Sequence, residues 1–419
     1  MYRAIDRCRI CGNTELVPVL DLGEQALTGV FPRSRQQKVA TMPLALVKCM
    51  DGGDRERCGL LQLRHAGAPE ELYGRDYGYR SGLNRSMVAH LHEKVRRILS
   101  LVALEKGDLV IDIGSNDGTT LQAYPRGVAE LVGIDPGGSS FERYYPADVR
   151  LIPDFFSARV VRSAFGARKA KVVTSFSMFY DLDDPLEFMR QVHECLDDRG
   201  VWVLEQSYMP TMLEMNSYDT VCHEHLEYYA LKQIRWMMER VGFRILDVEF
   251  NAVNGGSFSI TAAKRAAPYP GDDDRVAVIL RREEAVGLHT LTPYEEFRAR
   301  VARHRDELRG FLRDAGASGR RVCGYGASTK GNVVLQYCGV TAKDLPCIAE
   351  VNADKFGCFT PGSLIPIVSE DEARRSKPDY FLVLPWHFRD SILERERAYL
   401  EGGGRFVFPL PRIDVVGAS

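Results

Sequence analysis

No stretch of this 419-residue chain holds the roughly eighteen consecutive apolar residues that a membrane-crossing helix needs. The opening MYRAIDRCRICG has no apolar core of the kind that marks a secretory leader. Charge of one sign is not in excess either: 55 Lys and Arg stand against 57 Asp and Glu, a formal net of −2. That balance leaves no basic footprint for nucleic acid and no polybasic patch for a membrane. Short-period repeats are missing, and with 45% hydrophobic and 27% charged residues no disorder is implied. A cytoplasmic protein acting on small molecules is expected, as a monomer or homodimer, and its length implies two or three domains.

Ten cysteines are present, and in a reducing compartment they argue against a disulfide framework. Their grouping carries more information. Cys8 and Cys11 form a C-x2-C knuckle followed by Gly12, and Cys49 and Cys58 flank MDGGDRER some forty residues on. Four thiolates can surround a tetrahedral zinc, which replaces the core that a small module cannot build. With no open coordination position the metal would be structural. His65 in place of one cysteine, or four free thiols, are the alternatives.

The first hundred residues read as irregular, with short strand-like pieces and no long amphipathic helix until Asn84 to Leu101, where Met87, Val88, Leu91, Val95, Ile98 and Leu99 recur at helical spacing. From Gly107 strands alternate with helical matter: LVIDIG, LVGIDP, VRLIPDFF, KVVTSFSMFY and VWVLEQSY. A charged helical bridge near Asp272 to Ala315 leads to a second series, RVCGYGAST, LPCIAEVN, DYFLVLPW and GRFVFPL. The fold class expected is α/β, with two Rossmann-like doubly wound domains behind a small N-terminal zinc-binding module. The boundaries expected are 1–70, 71–270, a helical linker at 271–315, and 316–419.

Asp112-Ile-Gly114-Ser-Asn116-Asp117-Gly118 closes the first strand, and Asp135 closes the next. The glycines let backbone approach a ligand, and a carboxylate at the position of Asp135 can accept from both ribose hydroxyls. The loop is not G-x-G-x-x-G, and Asp117 at its mouth would repel phosphate. D-x-G-x-x-x-G followed by a strand-terminal acid resembles motif I and its successor in class I methyltransferases, which implies S-adenosylmethionine. Asp154, Phe155 and Phe156 would lie beside its adenine, with Ser177 also at the cofactor site.

Between the last strand of this domain and the following helix, Asn216 to Tyr229 offers two imidazoles, three carboxylates and three phenols, more proton-transfer chemistry than a connector requires. In the second series, Gly324 to Asn332 (GYGASTKGN) makes a glycine turn carrying Ser328, Thr329 and Lys330 at a helix start, which suits a diphosphate. Tyr325, Asn332, Asn352, Lys355, His387 and Asn254 are the other candidates for that pocket, although a solvated Lys355 is the plainer reading.

Taken together, the cysteine knuckle, IDIGSNDG, the HEH segment, NGGSF at 254–258, GYGASTKGN and TPGSLIPI at 360–367 resemble the three-domain sugar C-methyltransferases. That resemblance implies methylation of carbon 3 of a nucleotide-linked 4-keto deoxysugar, with the cofactor in the central domain. The substrate would lie between the central and C-terminal domains, and a histidine of the HEH segment would be the base. His225 is the first choice and His223 the alternative. Glu224 would orient the imidazole or a sugar hydroxyl, and Tyr77 or Tyr79 would cover the cofactor or bond the enolate. Cys222, Asp181 and His387 depart from the family pattern. O- or N-methylation of a small molecule, and non-catalytic binding of a sugar nucleotide, are the competing readings.

Overall fold

The computed structural model describes residues 2–53, 56–68 and 80–417. Strands β1 (Leu16–Ala26), β2 (Thr41–Cys49) and β3 (Leu61–Leu63) form an antiparallel sheet where the sequence reads as irregular. The period-2 signal is broken because Pro18 and Pro43 both lie in β1–β2 pairing, whose register shifts after Pro18 and again between Asp21 and Glu24. Helix α1 (Arg85–Leu101) follows as expected; the Asn84 side chain accepts from the Ser86 N–H, and Met87, Leu91, Val95 and Ile98 are buried.

The central sheet contains β4 (Asp108–Ile113), β5 (Ala129–Ile134), β6 (Val149–Ile152), β7 (Ala170–Phe176) and β8 (Leu196–Ser207). Helices α2 (Ala158–Phe165) and α3 (Pro185–Cys195) connect them. Beyond β8 come α4 (Met209–Glu214), a fourth strand for the N-terminal sheet, β9 (Glu227–Tyr228), and α5 (Leu231–Val241). Two further strands, β10 (Phe243–Asn251) and β11 (Ser257–Lys264), complete the central sheet in the order β10-β11-β8-β7-β4-β5-β6. The expectation that Asn216 to Tyr229 follows the last strand is therefore corrected. The sheet is also not wholly parallel, because β11 runs antiparallel to both neighbours. Its hairpin turn carries Asn254 to the same edge as the end of β8, where Ser207 pairs with Ser257.

Helices α6 (Asp273–Ala285) and α7 (Thr292–Ala317) form the expected bridge. The last sheet is built from β12 (Val322–Tyr325), β13 (Ile348–Glu350), β14 (Ile367–Ser369), β15 (Tyr380–Val383), β16 (Phe406–Phe408) and β17 (Asp414–Val416). Helix α8 (Thr329–Tyr337) follows β12. The order β14-β13-β12-β15-β16-β17 is parallel but for β17. In both doubly wound sheets the chain reverses direction beside the first strand, β4 or β12, and the crevice at such a reversal is where ligands bind.

The three parts share one continuous hydrophobic core, from Cys8 and Leu46 through Trp202 and Tyr229 to Leu335 and Phe406. Trp202 is fully buried against Phe179, Phe188 and Phe243, with its indole N–H on the Ser175 hydroxyl at 2.9 Å. The N-terminal sheet is stitched to the C-terminal domain by Gln336. Its Oε1 accepts the Ala26 N–H at 2.8 Å, and its amide donates back to the Ala26 carbonyl at 3.2 Å.

Cys8, Cys11, Cys49 and Cys58 converge, all four sulfurs within 4.8 Å of one another. Cys8 to Cys58 is 3.5 Å and Cys11 to Cys49 is 3.6 Å. A zinc with Zn–S bonds of about 2.3 Å sets tetrahedral S···S edges of about 3.8 Å, so the sulfur set fits this metal. His65 stands outside the cluster, on a two-residue pairing with Arg3–Ala4.

Metal analysis of the purified protein is expected to find one zinc per chain, and Cys49→Ser to lose it and lower the thermal midpoint by several degrees. Trp202→Ala is expected to cost about 3–5 kcal/mol in urea unfolding.

Candidate active site

The loop after β4 is held by its own acids. Gly114 has φ +70°, and a Cβ there would stand 3.1 Å from the Met178 side chain; both facts restrict the position to glycine. Asn116, at φ +50°, donates its N–H to Asp135 Oδ2 at 2.8 Å, and Asp135 Oδ1 accepts the Gly137 N–H at 2.7 Å. Each oxygen keeps accepting capacity for a ribose hydroxyl. Burial raises the Asp135 pKa. Gly118 lies under the Tyr145 ring, whose hydroxyl donates to the Asn116 carbonyl at 2.9 Å. No pattern in the sequence marks Tyr145.

Asp117 is not at the mouth of the loop. It is 3% exposed, accepts the Gly82 N–H at 2.9 Å and the Thr119 hydroxyl at 2.5 Å, and faces Arg80 at 3.6 Å. With the Asn116 side chain accepting from Ser81 N–H at 3.0 Å, it fastens the turn ahead of α1 over the cofactor loop. Asp112 is likewise internal: burial pushes it up to about 7, and it accepts the Thr174 hydroxyl at 2.5 Å, tying β4 to β7. Phe156 packs on Phe188 with centroids 5.2 Å apart, whereas Phe155 and Asp154 are exposed. Ser177, at φ +54°, directly follows β7, with its hydroxyl 3.5 Å from the Asn254 side-chain amide. Tyr77 and Tyr79 lie outside the described residues.

In the C-terminal domain the corresponding acid is Glu350, which sequence reading passed over. It accepts the Ala327 N–H at 2.8 Å from the end of β13, as Asp135 does from β5. Ser328 caps α8 by accepting the Gly331 N–H at 3.0 Å, which leaves the N–H groups of Thr329 and Lys330 at the helix head for an acceptor. The Lys330 ammonium instead crosses to the central domain and donates to the Asn254 carbonyl at 3.0 Å. Asn332 reaches the N-terminal part, donating to the Thr28 carbonyl at 2.8 Å. Lys355 is half-buried: it donates to the Ala327 carbonyl at 2.8 Å and lies 4.3 Å from the Phe31 ring centre. Asn352 caps the following turn by accepting from Asp354 N–H. Tyr325 is separate from these residues, its ring against Phe381 and Phe406 and its hydroxyl donating to Glu396 at 2.8 Å.

The carboxyl edges of the two sheets meet at Asn216 to Tyr229. Trp386, just beyond β15, donates its indole N–H to Asp219 at 2.8 Å, and Gly255 abuts Trp386 and His387. Most of the segment's polar groups are anchors. Tyr218 bonds His304 at 2.9 Å, and His223 donates to the Met42 carbonyl of β2 at 3.0 Å and is fully buried. Glu227 stands 3.7 Å from Arg9. Glu224 is buried against Thr28–Gly29; a Cβ on Gly29 would fall 2.7 Å from its Oε1, so any larger residue there would displace the carboxylate. Burial pushes the Cys222 thiol up.

His225 differs. Its Nδ1 bonds the Thr220 carbonyl at 2.9 Å, and since a carbonyl only accepts, Nδ1 carries the proton and Nε2 the lone pair. Among the described residues Nε2 has no hydrogen-bond partner, and the ring rests 4.2 Å from the Tyr180 ring centre. Burial, and the Lys330 charge after it, push His225 down to about 3, so it is neutral near pH 7. His387 is held neutral by the same two causes.

Three family models match in chain order: a zinc binding domain over residues 8–73, a methyltransferase domain over 87–248, and a C-methyltransferase C-terminal domain over 252–411. The last begins in the β10–β11 hairpin, well before the expected boundary at 316. C-methyltransferase NovU of Streptomyces niveus is 32% identical over 424 aligned positions, covering 100% of this chain and 99% of that one. Among solved structures, the CcbJ methyltransferase of Streptomyces caelestis is 13% identical (42% of this chain, 89% of that one, TM-score 0.32). The YcgJ protein of Bacillus subtilis is 14% identical (42% and 99%, TM-score 0.33). With three domain matches in order and end-to-end similarity to NovU, the chain belongs to the C-methyltransferase family.

Proposed function

We propose that this enzyme methylates the carbon beside the ketone of a nucleotide-linked 4-keto deoxysugar, and that Nε2 of His225 first removes the proton from that carbon. The observation that carries the reading is the Nδ1 tether to Thr220, which leaves an unprotonated nitrogen on the segment that both sheet edges hold. When bound at the loop after β4, S-adenosylmethionine supplies the electrophilic methyl. Asp135 would take the ribose hydroxyls, Phe155 the adenine face, and Ser177 and Asn116 the rest of the cofactor wall. The head of α8, flanked by Asn352 and Lys355, suits the diphosphate.

His225 would act as a general base. It abstracts the proton, the C–H pair becomes the new carbon–carbon π bond of the enolate, and the ketone π pair moves onto oxygen. A base pushed down to about 3 is weak, so much of the driving force must come from stabilising that oxygen. Glu224, held by Thr28, is placed to orient a sugar hydroxyl beside the base, and His223, committed to Met42, is the less suitable base.

In D2O without cofactor, the enzyme is expected to exchange the hydrogen at carbon 3 of such a sugar. His225→Ala should lower both exchange and methylation by about 10²–10⁴-fold while S-adenosylmethionine affinity is unchanged; full activity in this variant rules out the base. Because His225 is neutral from about pH 4 upward, kcat/KM should show no acidic limb near the ordinary imidazole value. An inflection near pH 6.5 that disappears in His225→Ala would contradict the assignment.

A further inference from the structure

Lys330 is placed for a role other than phosphate binding. It is the second residue of α8, yet its side chain leaves the helix head and ends 3.0 Å from the Asn254 carbonyl, inside the layer where the two sheet edges meet. An ammonium has three donors, and among the described residues this is its one hydrogen bond. The groups whose ionisation it couples to are Asp219, Cys222, His225 and His387. Burial keeps the thiol and both imidazoles neutral, which leaves Lys330 as the cation of this group and Asp219 as the acid whose charge it supports.

Asp219 is 1% exposed, with Oδ2 on the Trp386 indole at 2.8 Å and Oδ1 without a hydrogen-bond partner. Burial raises its carboxyl, and the Lys330 charge, the indole and the backbone N–H groups of Asp219 and Thr220 lower it. Burial works against the Lys330 charge and Asp219 supports it. A preorganised cation in a water-poor layer stabilises negative charge that develops during reaction far more than it would in water.

We propose that the Lys330 ammonium, held on the Asn254 carbonyl, receives the ketone oxygen of the substrate and stabilises the oxyanion formed when His225 removes the neighbouring proton. This rests on the base reading above. The proton goes to Nε2 of His225 and the π electrons of the C=O bond go to the oxygen facing Lys330. When the enolate carbon takes the methyl group the C=O bond re-forms, the sulfonium leaves as a neutral thioether, and the imidazolium returns its proton to water. The diphosphate would then rest on the backbone N–H groups at the helix head without this side chain.

The test compares Lys330→Gln and Lys330→Arg with the parent enzyme in three measurements: cofactor-free exchange in D2O, methylation kinetics, and affinity for the nucleoside diphosphate alone. Thermal unfolding and S-adenosylmethionine binding serve as checks of folding. Lys330→Gln should lower exchange and kcat together by about 10²-fold or more, with nucleoside diphosphate affinity changed less than about threefold, and Lys330→Arg should recover part of the loss. Exchange within threefold of the parent, with diphosphate affinity down tenfold or more, would make Lys330 a phosphate ligand and overturn the proposal. Full activity of His225→Ala sinks the base itself, whereas unchanged exchange in Lys330→Gln of an enzyme that His225→Ala disables sinks only the lysine's part.

Discussion

One hydrogen bond, from His225 Nδ1 to the Thr220 carbonyl, determines what the centre of this molecule can do. It fixes the tautomer, aims the lone pair of Nε2, and holds the ring against Tyr180. The same carbonyl also accepts the Tyr228 hydroxyl at 3.3 Å, so its own position is set from two directions. An imidazole on a free rotor would sample both tautomers and both nitrogens. Here the backbone makes the choice.

That carbonyl is steady because the segment around it is gripped by all three parts of the chain. His223 and Glu224 face the N-terminal sheet, and Glu227–Tyr228 adds a strand to it. Tyr218 reaches α7 through His304, and Asp219 meets Trp386 of the C-terminal domain. The four-cysteine cluster draws together the loops behind that sheet, so a metal held there would bear on the segment's geometry through packing alone. Asn332 and Gln336, on one helix, close the circuit to Thr28 and Ala26.

The strand–turn–helix order of both doubly wound sheets and the cysteine set are readable in the sequence because each follows local rules: buried β-branched runs ending in glycine turns, and a C-x2-C knuckle with two later partners. The prolines of β1 and β2 hid that sheet, since they sit at or beside breaks in its pairing. The antiparallel β11 and the borrowed strand β9 were hidden for another reason: their partners lie far away in sequence. In the candidate site, local patterning singles out His225, Asp135 and Asn254 by residue type alone. It could not tell that Asp117 turns inward to Gly82, that Tyr325 belongs to the core of its own domain, or that Lys330 leaves its helix for the Asn254 carbonyl. Asp219, Glu350 and Tyr145 went unremarked because their meaning comes from partners between 23 and 167 positions away.

The most direct test of the tethered imidazole is 15N NMR of histidine-labelled protein, with His225 assigned by its absence in His225→Ala. Between pH 5 and 8 the Nδ1–H neutral tautomer should persist, with Nε2 showing the shift of an unprotonated nitrogen. An Nε2–H tautomer, or an imidazolium at pH 7, would contradict it.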